Sequence, residues 1–97
     1  MSVYFFLANY TEQGVRNIKD SPKRLDAAKE VAASLGGEIQ QFYLTMGAYD
    51  LIILAEFPDD ATCADFVLRV AALGNIRTTT VKAFAEPAFR EIIAALP

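Results

Sequence analysis

At 97 residues the chain is read as one domain, residues 1–97, large enough to bury a real core without disulfide or metal staples. A net charge of −3 and a pI near 4.8 argue against a partner rich in phosphate, so no nucleic acid is expected, and no apolar run approaches a membrane span. Histidine is absent and cysteine occurs once, at Cys63. Imidazole metal sites, haem held by histidine, Ser-His and Cys-His pairs and any internal disulfide are thereby removed; neither metal nor cofactor is expected, and a reducing cytoplasm fits.

The N-terminal run Ser2–Ala8 lacks the charged leader and cleavage pattern of a secretory signal, and Val3–Tyr10 reads as a strand. Thr11 is placed to cap a helix whose apolar positions Val15, Ile18, Leu25, Ala28, Ala32 and Leu35 keep to one face. Asp20-Ser21-Pro22 interrupts it. Proline suits a first helical turn, so a kink or break is expected there, with Ser21 capping the second part. Gly36-Gly37 ends that helix, Glu38–Thr45 is a second strand, Met46–Tyr49 a tight connection and Leu51–Phe57 a third strand. Asp59 caps a second helix carrying Phe66, Val67, Val70 and Leu73, which Gly74-Asn75 closes. Ile76–Ala85 is a fourth strand, and Pro87 opens a terminal helix with Phe89, Ile92, Ile93 and Leu96.

This order is βαββαβ with a terminal helix, an α+β fold of ferredoxin-like type with an antiparallel sheet. Right-handed crossovers put the first and third strands in the centre and the main helices on one face. Those two strands are apolar on both sides: Val3, Phe5 and Leu7 oppose Tyr4, Phe6 and Ala8, and Leu51, Ile53, Ala55 and Phe57 oppose Ile52 and Leu54. A sheet covered on one side should alternate apolar and polar residues. The second apolar side therefore predicts another protein surface, with sheet-to-sheet pairing into a dimeric α+β barrel, as a homodimer or higher homo-oligomer.

Met46-Gly47-Ala48-Tyr49-Asp50 joins the second and third strands. Gly47 permits a positive φ, Tyr49 lays an aromatic on one face, and Asp50 begins the opposite one. Two roles are open to Asp50: an acid, base or ligand anchor inside a cleft, or a hairpin residue that ties up loop donors. Tyr4, Tyr10 and Tyr43 are expected on the open face with it, as an aromatic pocket ringed by polar groups. Lys23 and Arg24, in a first helical turn, and Arg77, beside three threonines, are candidate anion contacts. Asp20 and Asp26 could equally neutralise the first two at the surface. Cys63 is read as a small buried hydrophobe rather than a reactive thiol.

The chain resembles the GYD domain family, named for the motif that stands here as Gly47-Ala48-Tyr49-Asp50. The likeness also includes Asn9–Gly14, Asn17–Arg24, Phe42-Tyr43 and Leu73–Thr78. It implies a small ferredoxin-like protein and no particular activity. The second to fourth strands are also similar in layout to the effector-binding domain of leucine-responsive transcription regulators, where a glycine-aromatic-aspartate hairpin precedes an apolar strand. No helix-turn-helix accompanies it here, so that likeness implies a stand-alone ligand module.

Three functional classes stay open. The first is a homo-oligomer binding a small organic or anionic molecule by the dimer interface, with Tyr10, Tyr43, Asp50, Arg77, Lys23 and Arg24 as its contacts. The second is a cofactor-independent oxygenase or isomerase using Asp50 or a tyrosine, an analogy at the level of fold. The third is a structural or partner-binding module.

Overall fold

The computed structural model describes all 97 residues, Met1–Pro97. The chain runs β1 (Ser2–Tyr10), α1 (Glu12–Arg16), a 3-10 turn (Ile18–Asp20), α2 (Ser21–Ser34), β2 (Glu38–Leu44), β3 (Leu51–Phe57), α3 (Asp60–Ala72), β4 (Ile76–Ala83) and α4 (Glu86–Ala94). The four strands form one antiparallel sheet in the order β2-β3-β1-β4. The expected ferredoxin-like α+β fold is present, with the two doubly apolar strands at its centre.

One side of the sheet holds the core. Tyr4, Phe6 and Ala8 of β1 and Leu51, Ile53, Ala55 and Phe57 of β3 are buried beneath α2 and α3 with Ala32, Cys63 and Phe66. Phe57 and Phe66 lie 5.0 Å apart between ring centroids, and Phe6 stacks on Phe66 at 5.7 Å. Such aromatic pairs add to the burial that holds the helices down.

The register of β1 puts Val3, Phe5 and Leu7 on the opposite side, beside Leu54, Ile52, Val81 and Thr79. No helix crosses that side. At the C-terminus, α4 stands clear of both layers, and Phe89, Ile92, Ile93 and Leu96 along it stay exposed.

Helix starts follow the sequence at Thr11, whose hydroxyl accepts from the Gly14 amide, and at Asp59, whose carboxylate accepts from the Thr62 amide at 2.8 Å. The first long helix is interrupted as expected, with Pro22 in the first turn of α2, but the detail differs. It breaks at Asn17, ahead of the proline, and Ser21 does not cap α2: its hydroxyl turns instead to Tyr10. The break rotates the first turn away from the sheet, which leaves Val15 and Ile18 exposed while Leu25, Ala28, Ala32 and Leu35 remain on the sheet. The fourth strand ends at Ala83, two residues earlier than its Thr- and Val-rich run suggested.

Candidate functional site

Between α2, α3 and the helix-covered side of the sheet lies a cavity of about 170 Å³, lined by 20 residues of which 15 are hydrophobic. Its apolar wall includes Leu25, Val31, Phe42, Ile53 and Val67. The reason for the gap is local. The α2 segment sets the small Ala28 over a sheet of large side chains at this point, with Ala27 at the exposed rim, and so short a side chain leaves volume that neighbouring residues do not fill.

Polar groups gather at one part of the wall. Tyr10, the last residue of β1, brings its hydroxyl to 2.8 Å from Ser21 Oγ at the start of α2. Arg24, one turn along, donates from Nη1 to the Asn17 carbonyl at 2.9 Å, while its Nη2 is shut off from solvent and has no partner. Asn75 and Thr78 complete this part. Neither Asp20 nor Asp26 pairs with Arg24 or Lys23, so the surface neutralisation read from the sequence is not formed.

The candidates from the sequence fall into two groups. Tyr10 and Arg24 meet at the cavity, with Lys23 exposed on the same turn. Tyr43 and Arg77 belong to the other side of the sheet: Tyr43 donates to Gln41 Oε1 at 2.7 Å, and Arg77 pairs in register with Asn9. Tyr10 and Tyr4 were expected on that open side and are instead on the covered one. Their rings fill the core edge while each hydroxyl reaches a polar partner at its rim, Ser21 for Tyr10 and Asp60 for Tyr4.

Asp50 sits at the end of the hairpin, where Gly47 takes a positive φ of 142°. Its carboxylate accepts from the Tyr10 amide at 3.0 Å, and its own amide donates to the Ala8 carbonyl at 2.9 Å and to Asn9 Oδ1 at 3.0 Å. Thr45 closes the hairpin through its amide to the Asp50 carbonyl at 2.8 Å and its hydroxyl to the Tyr49 carbonyl at 2.6 Å. Asp50 thus ties the start of β3 to the end of β1 and, through the Tyr10 backbone, holds the ring that edges the cavity, while Gly47 and Tyr49 shape the hairpin itself.

Near the other end of β1 a second polar cluster forms. Tyr4 donates to Asp60, and Lys82 Nζ lies 2.9 Å from the same carboxylate. Burial, reinforced by the bond to Asp60, pushes the Tyr4 hydroxyl up to about 12. Cys63 is buried, which pushes its thiol up to about 11. Both shifts run opposite to what a general base or a nucleophilic thiolate requires at neutral pH.

Ser21 was missed as a wall residue because its place before Pro22 reads as a cap. The signal that could have found the cavity is the small Ala28 on α2 set over bulky strands.

No helix is long and apolar enough to cross a membrane. The chain is 27% identical over 84 residues to the glutamine synthetase and cystathionine beta-lyase binding protein of Thermus thermophilus, covering 86% of this chain and 88% of that protein. A crystal structure from the same organism superposes with a TM-score of 0.56 at 26% identity, covering 88% of this chain and 95% of that one. The feast or famine regulatory protein of M. tuberculosis, solved in complex with L-methionine, superposes with a TM-score of 0.67 at 16% identity over 88% of this chain. The present chain spans 51% of that regulator, which shows a shared fold. The GYD domain family's sequence profile matches residues 4–93, nearly the whole chain. The chain belongs to the GYD domain family.

Proposed function

We propose that the chain is a small-molecule-binding module that works as a homodimer or higher homo-oligomer in the cytoplasm. The observation that carries this reading is the cavity between sheet and helices, apolar over most of its wall and edged by Tyr10, Ser21 and Arg24. A concave apolar site with a few convergent polar groups is the usual form of a small-ligand pocket. The L-methionine named with the mycobacterial regulator of the same fold gives this reading indirect support.

Assembly rests on the uncovered side of the sheet. Phe5, Leu7, Ile52 and Leu54 lie there without a helix over them, and the exposed stripe of α4 adds to the unsealed apolar surface. A second copy meeting the first sheet to sheet would cover it, each fully buried Phe or Ile contributing about 1.5–3 kcal/mol. A cytoplasmic setting goes with the single unpaired Cys63.

A second reading is favoured by the same open surface: a module that docks on other proteins, as the name of the T. thermophilus relative states for that protein. An enzymatic role for Asp50 finds less support, because its carboxylate is already engaged by the Tyr10 amide.

Native mass spectrometry of protein purified gently from its own cells tests the proposal. A homo-oligomer carrying an added small mass is expected. A bare, folded monomer at micromolar concentration would overturn it, and co-purified enzymes in defined ratio would favour the second reading.

A further inference from the structure

Phe6 and Phe66 stack in the core, yet both also line a cavity of about 170 Å³. Native interiors seldom leave a void much larger than a water molecule. Water settles in such a space only with about two to four polar partners. Here the polar groups of the wall are turned to the chain itself. The Tyr10 and Ser21 hydroxyls bond each other, Asn75 Oδ1 accepts from Gln13 Nε2 at 3.1 Å, and Arg69 is paired with Asp65. Arg24 gives Nη1 to the Asn17 carbonyl, and its Nη2 is closed to a water molecule from the cavity as from solvent. The wall therefore offers a ligand no free countercharge.

What the wall does offer is hydrocarbon and aromatic surface. Phe6, Phe42 and Phe66 bring rings to it, together with Leu25, Val31 and Val67. A charged ligand would surrender its hydration there with nothing in exchange, and an amino acid would surrender it at both of its charges. An uncharged ring loses little on leaving water. It gains dispersion contacts with the aliphatic wall and ring-to-ring contacts with the phenylalanines. The size agrees, since a space of roughly 150 Å³ accommodates benzene in an engineered protein core. The exposed rim at Ala27 is the way in.

We propose that the cavity binds an uncharged apolar ring of about six to eight carbon atoms, an alkylbenzene or a molecule of like shape, held without a hydrogen bond to the wall. This rests on the small-molecule reading above and specifies its ligand class. It puts the ligand on the helix-covered side of the sheet, apart from the surface on which two copies would meet.

NMR titration of the full chain with toluene tests it, beside phenol, benzoate and L-phenylalanine. Toluene should move the methyl signals of Leu25, Val31 and Val67. It should bind at least about tenfold more tightly than phenol, whose hydroxyl forfeits its water. Benzoate and L-phenylalanine should leave those signals in place at the same concentration. Ala28→Leu puts a larger side chain into the space and should abolish the toluene shifts. Benzoate or L-phenylalanine acting on the same methyls as strongly as toluene overturns the uncharged class while leaving a binding module in place. Toluene shifts centred on Phe5, Leu7 and Ile52 overturn the location. Silence from every probe at millimolar concentration overturns the assignment and counts against the cavity reading as well. The comparison among probes needs no variant, so it decides even if Ala28→Leu does not fold.

Discussion

The two sides of this sheet are built from alternate residues of the same strands, with similar hydrophobicity, yet they end in different states. Tyr4, Phe6 and Ala8 are sealed under helices, while Val3, Phe5 and Leu7, one position away in each case, have none above them. On the covered side the rings of Phe6, Phe57 and Phe66 interlock. On the open side Val81 is 42% exposed, and beyond the sheet so are 54% of Phe89 and 50% of Ile93. Folding of one chain accounts for the first set and has no use for the second. The difference separates residues that hold the fold from residues available for association.

The hardest test of that division is truncation of a ring on the covered side. Phe57 is completely buried at the junction of sheet and α3. Phe57→Ala should cost about 3–5 kcal/mol in urea denaturation, since the cavity left behind cannot collapse fully. Phe5→Ala, on the open side, should cost less in dilute protein and more as concentration rises, because its burial needs a second copy. Equal, concentration-independent losses at the two positions would break the comparison.

A charge on the open side should act on assembly rather than on fold. Leu54→Lys places an ammonium in the middle of the uncovered surface, opposite Phe5 and Gln41. Sedimentation should then report a monomer with the far-UV spectrum intact, because buried unpaired charge is not tolerated at a sealed interface. An unchanged oligomer would mean that association uses a different surface.

The fold was legible because its central constraint is periodic. Double apolarity of Val3–Ala8 and Leu51–Phe57 requires central strands, and the ferredoxin-like order β2-β3-β1-β4 makes both central. The candidate site was less legible for reasons specific to three residues. Tyr10 has the same parity as Tyr4, Phe6 and Ala8, so alternation put it on their side. A hydroxyl argues for a wet surface, yet here the ring is held at the core edge with its oxygen on Ser21. Asp50 was open between anchor and hairpin tie, and only its distance to the Tyr10 amide favours the tie. Arg24 lines a cavity because the helix breaks at Asn17 and α2 lays Ala28 over the sheet, a matter of helix placement that no local pattern encodes.

Of smaller effect is the seam where α1 meets the start of β4. Gly14 is buried, and a Cβ there would come within 2.1 Å of the Asn75 carbonyl oxygen, which accepts from the Thr11 amide at 3.0 Å. Backbone cannot yield as a side-chain tip can. Gly14→Ala should therefore lower stability by about 1–3 kcal/mol, through overpacking. Because the seam lies on the covered side, the loss should be the same at every protein concentration. Dependence on concentration would show that this end of the sheet also takes part in assembly.

The smallest effect concerns the rim of the covered side near Tyr4. Tyr4 titrates near 10.0 in an unfolded chain and near 12 when folded, and Cys63 moves from 9.0 to about 11. Both groups therefore favour the folded state in their protonated forms. Their contribution is complete below the unfolded values and drains away as pH rises through the folded ones. The melting temperature should hold steady to about pH 9 and fall between there and pH 12. Replacing Cys63 by alanine should remove the earlier part of the fall and Tyr4→Phe the later part. Tyr4→Phe also withdraws the donor that does most to lower the Asp60 carboxyl, ahead of Lys82. The stability that Asp60 supplies above the ordinary carboxylate range, and loses as pH falls, should shrink with it. One substitution thus flattens the stability profile at both ends. A Tyr4→Phe protein with an unaltered alkaline slope would mean that the hydroxyl reaches water and that this rim is not sealed.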